Sequence, residues 1–314
     1  MQAEYAEPMD RTSFEIELCE CVKCHLSEEY HIELSQTKKN NGVLKDVLYI
    51  RKDEEECVPC FYMEELYQSY CMGEAILGLA EHMVNIVKGE CEKVKEQVKW
   101  LKCTDWIKKN LFLRLVHLEK NREVLEDSVY SEYMDLAYVV YVVTEISRDG
   151  IKCFRLPKQM WESLELGEIH TCFPRLIENT RRLFPEKLEY ICYGLEKEVS
   201  EPAELSEFLK DVREGEALIA NRLYVLSNQR RVNGATVLLY PEILETVGKR
   251  FGGGYYIIPS SIHEVLLLKE NPGENEEKLN EMVWEVNQAV VAPEEVLSNH
   301  VYYYSPSKHK IESK

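Results

Sequence analysis

Residues 223–269 read LYVLSNQRRVNGATVLLYPEILETVGKRFGGGYYIIPSSIHEVLLLK, and their punctuation sets the fold class. Leu223–Leu226 is a short β-prone run. Asn233-Gly234 is a turn dipeptide, because both residues tolerate positive φ. Thr236–Tyr240 then reads as a strand, so the two runs bracket a hairpin. Pro241 supplies the φ that opens a helix to Arg250, and Gly252-Gly253-Gly254 closes it. Tyr255–Ile258 and Glu264–Leu268 are further strands, joined through Pro259-Ser260-Ser261.

The same reading extends outward. Downstream come a helix at Glu276–Val291, a short one opened by Pro293, and a last strand at Val301–Tyr304. At the other end, Phe14, Leu18, Val22 and Leu26 recur at helical spacing across 11–29. Strands at Tyr30–Gln36 and Val43–Arg51 meet through Asn41-Gly42. Pro59 precedes a short edge, and helices follow at Met63–Cys71 and Glu74–Lys88. A strand at Leu111–Val116 and a short helix at Glu119–Glu126 lead to Tyr133–Ile146, the most β-prone stretch. Asp149-Gly150 turns that stretch into Ile151–Arg155. Pro157 opens a helical run that resumes after Gly167 and ends at Arg182. Residues 185–220 read as helical and heavily charged, with an acidic loop at Ser200–Ser206.

Hairpins alternating with helical crossovers predict an α+β fold, a mixed sheet with hairpins and packed helices, rather than a doubly wound sheet. The predicted organisation is an N-terminal helix and hairpin portion (1–150), a helical connector (151–220) and a C-terminal α+β portion (221–314), compatible with one continuous domain.

The chain has 314 residues, with 56 acidic against 38 basic and a formal net charge of -18. That field repels phosphate backbones and anionic lipid surfaces. Direct nucleic-acid and membrane binding are therefore not expected, and a basic protein surface is the favoured electrostatic partner. The longest apolar run, Leu136–Val143, is far short of the roughly 18 residues of a membrane helix. The opening MQAEYAEPMDR lacks a basic-plus-apolar signal pattern. A cytoplasmic location is expected, and the 11 cysteines then act mostly as free thiols and small hydrophobes.

From Tyr224 to Tyr304 the chain carries an ordered series. It comprises Val225–Asn228, Gly234-Ala235, Leu239-Tyr240-Pro241, Ile258–Val265, Met282-Val283, Glu285-Val286-Asn287 and Pro293–Ser298. This series resembles a domain-of-unknown-function family of clostridial gut bacteria. More distantly it is similar to a second uncharacterised Gram-positive family with a Pro-Ser-Ser-Ile-His-Glu block. Asn41-Gly42-Val43, Pro59 with Tyr62, Asn121, Asp135-Leu136-Ala137 and Asn179-Thr180 extend the resemblance upstream. It carries no activity with it.

Ser260, Ser261, His263 and Glu264 form the best candidate site. A zinc protease needs a second His four residues after the first, and Leu267 stands there. Ser261 and His263 share one side of an extended chain, so a nucleophile beside its base is conceivable, with Glu264 third. Asn228, Asn287 and Asn179 would complete a polar ligand pocket if they faced this turn. Cys21 and Cys24 with Cys57 and Cys60 have two Cys-x-x-Cys spacings for zinc. The 32-residue spacer and the helical setting of the first pair argue against it, and Cys60 is not part of the resembled pattern. The triple glycine follows a helix, the reverse of a phosphate-cradling loop.

No cofactor is expected. The leading reading is a non-catalytic binding or regulatory protein for an unknown protein or small molecule. A hydrolase using the 260–264 turn, and an acidic inhibitor of a basic nucleic-acid-binding protein, are the alternatives.

Overall fold

A computed structural model describes residues 8–52, 59–101, 103–147, 150–191, 209–213, 215–219, 222–271 and 276–313. The chain separates into two compact units, Met1–Lys39 with Val43–Cys103, and Asn40–Gly42 with Thr104–Lys314. That division falls near residue 103, whereas the sequence reading puts its boundaries near 150 and 220.

In the first unit, α1 (Arg11–Cys24) starts where the Asp10 side chain accepts a hydrogen bond from Ser13 N. Phe14, Leu18 and Val22, one turn apart, are its buried residues. Strands β1 (Tyr30–Lys38) and β2 (Leu44–Lys52) pair antiparallel from Tyr30↔Lys52 to Lys38↔Leu44. Asn41 (φ 60°) and Gly42 (φ 72°) make the bend between them, as their dipeptide predicts. The short β3 (Cys60–Tyr62) joins the other edge of β2. Helices α2 (Met63–Cys71) and α3 (Ile76–Leu101) follow, and Met63, Leu79, Ala80 and Met83 pack with Phe14, Leu48 and Ile50.

The second unit holds two antiparallel sheets. In the first, β6 (Leu136–Ile146) is flanked by β4 (Leu111–His117) on one side, and by β5 (Tyr130–Tyr133) and β7 (Ile151–Arg155) on the other. The second runs in the order β14 (Lys310–Ser313), β13 (Tyr302–Ser305), β11 (Tyr255–Ser261), β12 (Glu264–Lys269), β10 (Tyr224–Asn228), β8 (Glu186–Ile191) and β9 (Leu209–Asp211). One face carries Tyr224, Tyr255, Ile257, Leu267, Tyr302 and Tyr304 into the main core, with Leu113, Val140 and Leu176. The opposite face sets Tyr256, Ile258 and Tyr303 against Val283 of α9 (Glu276–Ala289). This alternation is the period of two that a strand imposes. The α+β class holds, and every strand pair among the described residues is antiparallel.

Two local readings are corrected. Residues 234–239 form a 3₁₀ helix, not the strand expected at Thr236–Tyr240. Its residues are buried at every position, so no two-residue alternation exists to be read. The Thr236 hydroxyl instead accepts a hydrogen bond from Leu115 N (3.1 Å), and Thr180 Oγ1, on α7 (Ile169–Leu183), accepts one from Leu113 N (2.9 Å). These two threonines satisfy donors along the outer edge of β4, which would otherwise stay unpaired in the core. Within 185–220, the described residues form β8 and β9 rather than helix, and the predicted acidic loop lies outside them. Strand β14 was not expected at all.

Candidate functional site

The turn between β11 and β12 is tight: Pro259 pairs with Val265 and Ser261 with Glu264, with a register shift between 259 and 261. Ser261 Oγ accepts the His263 N–H at 3.0 Å, the local serine bond that stabilises such turns. His263 Nδ1 accepts the Asn233 backbone N–H at 3.1 Å. The ring hydrogen therefore sits on Nε2, which faces Glu295 Oε1 at 3.3 Å. The His263 carbonyl accepts from Ser227 Oγ at 2.7 Å. Every polar group of this histidine is engaged.

Neighbouring backbone completes the clamp. Ile262 N donates to Glu295 O (2.8 Å), and Ala235 N donates to Ile262 O (3.2 Å). Between them lies Gly234, where a Cβ would overlap Ser227 Oγ and the His263 carbonyl and stand 2.9 Å from Asn228 N. Only glycine fits this approach.

Beside the clamp is a charged cluster. Glu189, only 4% exposed, pairs with Arg231 and with Lys187 Nζ at 2.9 Å. Burial pushes the Glu264 carboxyl above the usual carboxylate range, against the pull of Arg231, His263 and the Ser260 hydroxyl, while Glu189 adds to the rise. Hydrogen bonding to Glu189 raises the Lys187 ammonium, against its own desolvation.

The four turn residues thus share one place, half-buried. Asn228 lies next to them: its Nδ2 donates to Val232 O (2.8 Å) and its Oδ1 accepts from Arg230 N (2.9 Å), fastening the loop after β10. Asn287 does not bond the turn; its Nδ2 donates to Ser298 O (2.9 Å) and Asn299 Oδ1 (2.8 Å). Asn179 stands apart, donating to Lys108 O at 2.9 Å. Cys21 and Cys24 lie on α1 and Cys60 on β3, while Cys57 is outside the described residues. Among the described residues no three His, Cys, Asp or Glu side chains converge as metal ligands.

Sequence reasoning missed the segment 293–300 as the hub. Asn41 Nδ2 donates to Pro293 O (2.8 Å) and Val296 O (2.7 Å), and Asn41 and Asn121 exchange a reciprocal pair at 2.9 Å. Ser298 Oγ donates to Asp135 Oδ2 (2.6 Å), and Tyr302 OH donates to Asp135 Oδ1 (2.7 Å). Burial, with the Asp135 charge second, holds the Tyr302 hydroxyl far above its ordinary range. Burial lowers the His117 imidazole nearby, with Lys120 acting the same way and Asp135 against it. The available signal was the motif series itself, which contains Asn41, Asn121, Asp135 and Pro293–Ser298.

Next to this hub, Asn280, Glu281, Trp284 and Glu285 of α9 face Asn299 and His300 across an open groove of about 550 Å³. Among the described residues no helix is long and apolar enough to cross a membrane.

No curated protein and no solved structure matches this chain. A family model does, over residues 11–306, which takes in both compact units, the turn, the hub and the groove. The chain belongs to the family of unknown function DUF5688.

Proposed function

We propose that the protein is a cytoplasmic, non-catalytic binding or regulatory protein, in which the 260–264 turn is a structural latch. The supporting observation is the histidine. A nucleophilic serine needs a base with a free ring nitrogen within reach. Nδ1 of His263 is taken by the Asn233 N–H, and Nε2 faces Glu295. Ser261 Oγ in turn accepts from the His263 backbone rather than from its ring.

A hydrolase remains the second reading on one observation. Burial raises the Glu264 carboxyl above its ordinary value, the direction that a general acid needs. Ester, phosphoester and peptide substrates presented to the wild-type, S261A, H263A and E264Q chains separate the two readings. Background rates that are equal in all four support the latch. A turnover abolished in S261A or H263A overturns it.

The acidic-inhibitor reading draws its support from α9, where Glu277, Glu281 and Glu285 are exposed at four-residue spacing.

A further inference from the structure

We propose that the exposed side of α9 docks a basic amphipathic segment of a partner protein, with one of its arginine or lysine side chains seated in the Trp284 groove. This rests on the binding reading above and specifies the chemistry of the partner.

Trp284 is 55% exposed, an unusual place for the largest amphipathic side chain. Its groove is flanked by Glu281 and Glu285, neither of which has an ion-pair partner among the described residues. A guanidinium lying on an indole face, with carboxylates at its edge, combines cation–π attraction with charge-assisted hydrogen bonds. The walls are already ordered. Asn280 Oδ1 accepts Val301 N at 2.7 Å, and Asn299 Oδ1 accepts from Asn287 at 2.8 Å. A preformed groove loses little entropy on binding.

Charge complementarity selects a basic occupant. Glu281 and Glu285 stand four residues apart on α9, and like charges so placed destabilise a helix. A cationic partner relieves that repulsion. The helical repeat sets Trp284 along one margin of this acidic row. Along the other margin run Met282 (45% exposed) and Val286 (43%), with exposed Val290 just past the helix end. Lys278 is exposed on the same side, so the face stays net acidic through its glutamates, and with its apolar margins it matches a segment carrying both arginines and leucines rather than a bare polycation or a small free cation.

The test titrates a labelled peptide of alternating arginine and leucine pairs into the full chain, following anisotropy at low and physiological salt. The proposal expects saturable one-to-one binding. It expects a loss of about tenfold in affinity for Trp284→Ala, and a similar loss for the Glu281→Gln/Glu285→Gln chain. A matched peptide with glutamate in place of arginine should not bind. Absence of saturable binding, or equal binding by the substituted chains, overturns the proposal. So does a wild-type dimer that Trp284→Ala dissolves, because a second copy is then the occupant. Failure here is distinguishable from failure of the latch, which is read by turnover in S261A and H263A.

Discussion

Asn233 gives its backbone N–H to Nδ1 of His263 across 3.1 Å, thirty residues along the chain. Asn233 holds φ 54°, a left-handed conformation, and that bend presents its N–H to the ring. The imidazole then bridges the bend to the 293–300 segment through Glu295. A histidine used in this way is a cross-brace.

The brace depends on the absence of a side chain at 234. Gly234→Ala forces a Cβ into Ser227 Oγ and the His263 carbonyl, both on rigid neighbouring backbone or a bonded side chain. The expected destabilisation is about 3 kcal/mol, at the upper end for overpacking. Denaturant unfolding measures it, and an unchanged midpoint would contradict the packing described.

Asp135 is the common acceptor for Ser298 and Tyr302. Ser298→Ala and Tyr302→Phe each remove one buried hydrogen bond, at about 1–3 kcal/mol. Because the two share a carboxylate, their effects should not add. A double-mutant cycle of unfolding free energies checks this; strict additivity would mean that the bonds act independently.

Glu264 yields a pH signature. Its folded-state pKa lies above the ordinary carboxyl value because of burial, so the folded protein binds its proton more tightly than the unfolded chain does. This group therefore costs stability as the pH rises through that range, and costs nothing below the unfolded value. Glu264→Gln should be more stable than the wild type at neutral pH and equal to it near pH 4. Urea midpoints at the two pH values decide; a Gln variant less stable at neutral pH would show that its ionic partners outweigh burial.

Thr236→Val keeps the shape but strands the Leu115 N–H at the edge of β4. A loss of about 1–3 kcal/mol is expected, with faster amide exchange at Leu115. Unaltered exchange there would mean that the hydroxyl is not its partner.

Much of the fold is legible because its signals are local. Asn41-Gly42 carries its own turn, Pro59 and Met63–Cys71 carry their own boundary, and the triple glycine ends α8 (Ile243–Phe251) at Gly252, φ 70°. The misses have physical causes. Thr236–Leu239 is largely apolar like a strand, yet it forms a buried 3₁₀ turn whose Thr236 hydroxyl serves Leu115, more than a hundred residues upstream. Strand β8 reads Glu-Lys-Leu-Glu-Tyr-Ile, too charged and too irregular in its alternation to announce a strand, and it reads as a charged helix. What allows Glu189 to be buried there is Arg231, 42 residues away in sequence. The turn at 260–264 was legible as a polar cluster, but its partners Ser227, Asn233 and Glu295 lie some thirty residues away on separate elements. Residue types announce a cluster; only the fold shows whether its donors and acceptors are already spent.

The most direct test is a two-bond ¹H–¹⁵N spectrum of the His263 ring in the folded protein, assigned by comparison with H263A. The latch predicts a single Nε2-protonated tautomer whose Nδ1 carries the signature of an acceptor. A ring protonated at Nδ1, or one averaging between tautomers, would leave a nitrogen free for chemistry and contradict the account.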